Sequence, residues 1–170
     1  MKGHVLLSHG MESGPQANKV TALAAVAQAR GWRSTRPDFL DLDATRDATR
    51  LQLRIERLLA AVEPGEPLVL AGSSLGAFCS ALASLQVPCR GLFLMAPPLS
   101  IPGFDARLDL AAVATEIVHG WDDELIPASD VIAFAAARRL PLHLVADTHR
   151  LEGHVQTIAQ WFGRFLDQCQ

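Results

Sequence analysis

The chain has no tyrosine and only three cysteines in 170 residues. Cys79, Cys89 and Cys169 form an odd set with no Cys-x-x-Cys pair. That excludes a disulfide framework and a thiolate metal cluster, and it fits reduced thiols in a cytoplasmic protein. The six histidines show no His-x-x-x-His spacing, and neither Gly-x-x-x-x-Gly-Lys nor Gly-x-Gly-x-x-Gly occurs, so neither a metal nor a nucleotide cofactor is expected. No apolar run reaches the length of a membrane span. Met1 to Leu7 is too short and too weakly basic for a signal peptide. An excess of basic charge is lacking too: the net charge is −3 and the isoelectric point near 6.0, which argues against general nucleic-acid binding. There is no internal repeat, and the length suits a single domain over 1–170.

What the chain does have is a regular alternation of apolar strands and helical patterns. Strands are expected at 3–8, 32–36, 67–72, 90–95, 113–119 and 142–146. Helices are expected from Pro15 to Arg30, from Ala44 to Val62 with Asp43 as cap, over 75–86, from Pro127 to Arg139, and along a last stripe of Leu151, Val155, Ile158, Phe162 and Phe165. No hairpin signal separates the strands. The pattern implies an α/β fold, a doubly wound parallel sheet with helices on both faces. Chemistry in such sheets gathers at the carboxyl ends of the strands.

The most informative stretch is Leu68-Val69-Leu70-Ala71-Gly72-Ser73-Ser74-Leu75-Gly76-Ala77. An apolar run ends in Gly-x-Ser-x-Gly and a helical pattern follows at once. This is the context of a nucleophile elbow, a turn so tight that Gly72 and Gly76 must be small and Ser74 is held in a strained backbone with its hydroxyl exposed. A serine hydroxyl needs a base and a group to orient that base. His119-Gly120-Trp121-Asp122-Asp123 leaves a strand and presents carboxylates. Asp123 is the expected orienting acid, with Asp122 capping or facing water. His149, at the exit of the last strand, is the expected base, and His154 is its rival. Ser, Asp and His then follow in an order that one fold uses. Backbone N–H groups of Leu75 and Met11 are placed to stabilise an oxyanion, with Gly10 allowing close approach.

With these four segments in view, the chain resembles the α/β-hydrolase superfamily over nearly its whole length. Ser8-His9-Gly10-Met11-Glu12-Ser13-Gly14-Pro15, continuing to Lys19, is similar more narrowly to the small YqiA-like esterases. The resemblance implies a serine hydrolase acting on small carboxylic esters or acyl thioesters, with Ser74, Asp123 and His149 as the triad. It implies six strands in the order 2-1-3-4-5-6, without the leading antiparallel hairpin of larger members. Only the 17 residues from Ala96 to Ala112 stand where those members insert a helical lid, so an open site for small substrates is expected. Met95, Pro97, Leu125 and Ile126 are expected to line the substrate pocket, together with Met11, Pro98 and Leu99, and Arg150 to face an anionic substrate group or a surface salt bridge. Arg46, Arg50, Arg54 and Arg57 read as a solvated basic face of the second helix, with an anionic partner or a coenzyme A phosphate as the alternative. The alternative function is an interaction protein on a hydrolase fold, using its surface rather than the triad; no nucleic-acid or membrane partner is expected.

Overall fold

The computed structural model describes residues 1–170. Its centre is a six-stranded sheet, all parallel, formed by β1 (His4–Ser8), β2 (Arg33–Thr35), β3 (Leu68–Ser73), β4 (Gly91–Met95), β5 (Ala114–Gly120) and β6 (Leu142–Val145) in the order β2-β1-β3-β4-β5-β6. The strands divide their side chains between two cores with a period of two. Leu6, Leu70, Leu92, Leu94 and Ile117 point to one face, where they pack against α3 (Leu51–Ala60), α4 (Leu75–Ser84) and α5 (Ala128–Arg138). Val5, Leu7, Val69, Phe93 and Val118 point to the other, against α1 (Asn18–Ala29) and α6 (Val155–Gln168). Burial on both faces is why the strands read as continuous apolar runs. No helix is long and apolar enough to cross a membrane. The segment from Ala96 to Val113 carries no helix, only a bridge between Ser100 and Arg107, so the fold has no lid.

Two helices differ from expectation. The first begins at Asn18, not Pro15: Gly14 takes a left-handed conformation and residues 14–17 close a turn, with the Ala17 N–H donating to the Gly14 carbonyl. The expected helix over 44–62 starts late: residues 44–46 form a turn and α3 begins only at Leu51. A short α2 (Leu40–Asp43) ends before Arg46, which is left-handed (φ 49°), and the Asp47 carboxylate then accepts the Thr49 N–H to start a 3₁₀ turn, Ala48–Arg50, leading into α3. Asp43 is therefore no cap. It is buried and bonded to Arg54. In a continuous helix two residues eleven apart would lie about 16 Å apart along the axis. The turn between α2 and α3 is what brings them together.

Candidate active site

Between β3 and α4 the chain reverses around Ser74, whose backbone stands at φ 53° and ψ −118°. A side chain larger than hydrogen has no place beside it. A Cβ on Gly72 would lie 2.4 Å from the Gly76 carbonyl, and one on Gly76 2.2 Å from the Ser8 carbonyl oxygen. The Ser74 N–H donates to the Met95 carbonyl (2.8 Å), which ties the strained residue to β4. Strain at one non-glycine residue of this kind costs of order 1–3 kcal/mol and persists only where surrounding structure holds it.

The exits of β5 and β6 deliver the other side chains. His149 Nε2 lies 2.8 Å from Ser74 Oγ, and His149 Nδ1 lies 2.7 Å from Asp123 Oδ2. A neutral ring protonated on Nδ1 satisfies both contacts, donating to the carboxylate and accepting from the hydroxyl. Asp123 is held in turn: its Oδ1 accepts the N–H groups of Leu125 (2.9 Å) and Ile126 (2.8 Å). The buried His119 adds a partner that sequence reasoning passed over, with Nε2 3.3 Å from Asp123 Oδ2 and 2.9 Å from the Ile126 carbonyl. Glu124, also passed over, accepts the His149 N–H (3.2 Å). The two loops meet closely, since a Cβ on Gly120 would lie 2.3 Å from the Asp147 carbonyl oxygen. His154 bonds Asp147 instead (2.8 Å), and Asp122 is exposed.

Met11 and Leu75 flank the serine, and neither N–H donates to any acceptor within the protein. The loop that carries Met11 is anchored from beneath by a buried ion pair. Arg54, 1% exposed, meets Asp43 through two bonds (Nε–Oδ1 3.0 Å, Nη2–Oδ2 3.1 Å) and donates to the His9 carbonyl at 2.9 Å. Asp43 also accepts the Glu12 N–H (2.9 Å). His9 Nε2 accepts the Phe39 N–H (3.0 Å) while Nδ1 faces the Gly10 carbonyl (2.6 Å). Burial holds that imidazole below its ordinary pKa, against the pull of the Gly10 carbonyl. Gly10 itself is not forced by space, because a Cβ there would make only ordinary contacts, 3.4 Å from the Ser73 carbonyl oxygen.

A crystal structure of a protein of the alpha/beta hydrolase superfamily from Xanthomonas campestris pv. campestris is 55% identical to this chain. The match covers 97% of this chain and 98% of the other, with a TM-score of 0.90. This chain belongs to the α/β-hydrolase superfamily. Est1E from Butyrivibrio proteoclasticus (17% identity, 98% and 88% covered, TM-score 0.79) and an alpha-beta serine hydrolase homologue from Coxiella burnetii (24%, 98% and 86%, 0.70) share the same fold. No protein-family model matches the sequence, and neither does any curated protein.

In this α/β hydrolase the space beside Ser74 departs from the expected pocket. A cavity of about 280 Å³ is lined by Ser74, His149, Met11, Lys19, Leu125 and Arg150, among others. Met95 is fully buried in the core, Pro97 and Pro98 are buried as well, and Leu99 and Ile126 pack against the core; none of the five borders it. They are apolar because they fill the interior at strand ends. Arg150 does border the cavity and forms no ion pair, so the expected surface salt bridge is not made; Lys19 Nζ donates to its carbonyl. The expected arginine face is dispersed. Arg57 bonds Asp41 and Arg46 bonds Glu12 at the surface, whereas Arg54 turns inward. The signal for Arg54 was available: Leu51, Arg54, Ile55 and Leu58 form one buried stripe at helical spacing.

Proposed function

We propose that this protein is a serine hydrolase that cleaves small carboxylic esters or acyl thioesters through an acyl-enzyme intermediate. The observation that carries this reading is the hydrogen-bonded relay from Ser74 through His149 to Asp123. Ser74 Oγ attacks the carbonyl carbon as its proton passes to His149 Nε2. The carbonyl oxygen becomes an oxyanion that takes the free N–H groups of Met11 and Leu75. Collapse of the tetrahedral species breaks the bond to the alcohol or thiol, which leaves with the proton from Nε2. Water then repeats the attack and frees Ser74 and the acid. Asp123 keeps the imidazole in the tautomer and orientation both steps need. The superfamily supplies the hydrolase class. The likeness of residues 8–19 to the YqiA-like esterases supports esters and thioesters as substrates.

The test is hydrolysis of p-nitrophenyl acetate and butyrate by the protein and by Ser74→Ala. The variant is expected to fall to the uncatalysed background, and equal rates in the two proteins would remove Ser74 from the reaction.

A further inference from the structure

A second cavity, of about 150 Å³, adjoins the first at Met11. Its apolar walls are Met11, Leu42, Leu51, Leu75, Ile101 and Pro102, and it touches neither Ser74 nor His149. We propose that this cavity is the acyl subsite, and that it takes short, uncharged acyl groups, aliphatic or single-ring. The proposal rests on the function just proposed and follows from the direction in which each fragment must leave the reacting carbon.

The alcohol or thiol has to receive a proton from His149 Nε2, so it lies in the cavity that contains His149. The carbonyl oxygen points to the N–H groups of Met11 and Leu75, residues that both line the second cavity. The acyl chain is what remains on the carbon, and the space that adjoins at Met11 without bordering the imidazole is the one left to receive it. The size of the space sets the size of the chain. A volume of about 150 Å³ is that of a six-carbon ring, so the acyl group ends near six carbons. The loop that replaces a lid bounds the far side: a Cβ on Gly103 would sit 3.2 Å from the Ala48 Cβ, which places that loop directly on the 3₁₀ turn. The charged groups around the cavity are largely matched among themselves. Arg54 is bonded to Asp43, Arg46 to Glu12, and Asp47 accepts from Thr49; Arg50 is the one cation there without an acidic partner. Arg50 is exposed at the rim and solvated there, so the apolar walls favour an uncharged acyl terminus.

The experiment holds the leaving group fixed and varies the acyl chain of p-nitrophenyl esters from two to twelve carbons. Each methylene the cavity accepts should raise kcat/KM about fourfold, to a maximum at four to six carbons, with a fall of tenfold or more by eight to twelve. Ile101→Trp, which fills the cavity from the loop side, should lower the hexanoyl-to-acetyl ratio about tenfold, and Ile101→Ala should move the maximum to longer chains. A rate that climbs steadily to twelve carbons, or a ratio indifferent to residue 101 in an enzyme that still hydrolyses the acetyl ester, would overturn the acyl subsite alone. A protein that hydrolyses none of the esters would overturn the proposed function, and the subsite with it.

Discussion

Arg54 shows what a single side chain contributes here beyond its charge. It neutralises Asp43 in the interior and also holds the His9 carbonyl, one residue before the Gly10-Met11 peptide. Removing one partner of a buried pair typically costs about 3–5 kcal/mol, whereas replacing both by apolar residues is often neutral. Arg54→Met is therefore expected to lower stability by that amount, and Asp43→Leu with Arg54→Met to recover most of it in urea denaturation. The double variant should still lose kcat by about 10²-fold, the scale of a lost oxyanion donor, with KM little changed, because the Met11 loop has lost its anchor. Full recovery of both stability and kcat would mean the pair only fills space. At the relay itself, Asp123→Asn should lower kcat about 10⁴-fold by favouring the wrong imidazole tautomer, with Ser74→Ala lower still; steady-state kinetics on one ester separates the two.

At the level of elements, the elbow is the most constrained piece of the chain. Gly76→Ala would drive a methyl group into the Ser8 and His9 carbonyls, a clash of Cβ with backbone that no rotamer relieves. A loss of about 3 kcal/mol or more is expected, visible as a lower denaturation midpoint. This unit was legible from residues alone because everything that makes it is local: an apolar run, two obligatory small residues and a helix start. The exits of β5 and β6 were legible for a similar reason, each strand being followed within four residues by a polar side chain. Residues 38–50 were not. The turn between α2 and α3 is where the chain folds back so that Asp43 meets Arg54, a pairing that no helical or strand periodicity encodes. The pocket was misread for another reason: hydrophobicity marks Met95 and Pro97 as apolar but does not distinguish interior packing from the wall of a cavity. The cavity proposed above as the acyl subsite opens beside that turn, at Leu42, Leu51 and Ala48.

For the molecule as a whole, two histidines couple stability to pH. His4 and His9 are buried at either end of β1, and burial holds both imidazoles below their ordinary pKa. Unfolded, they titrate near about 6.5. Below that value the unfolded chain binds more protons than the native one, so acidification favours unfolding. The thermal midpoint should be steady above about pH 7 and decline as pH falls below about 6.5, with a shallower decline in His4→Gln; a midpoint that rises on acidification would contradict this. The same sheet order also performs the main functional task. It sets the ends of β3, β5 and β6 at one edge, so that residues 74, 123 and 149 meet although the outer two are 75 positions apart. The most direct test of that convergence is reaction of the folded protein with a fluorophosphonate, with the adduct located by peptide mass spectrometry. One label per chain on Ser74, lost in His149→Ala, is the expected result. An unlabelled Ser74, or a label that survives removal of His149, would contradict the account.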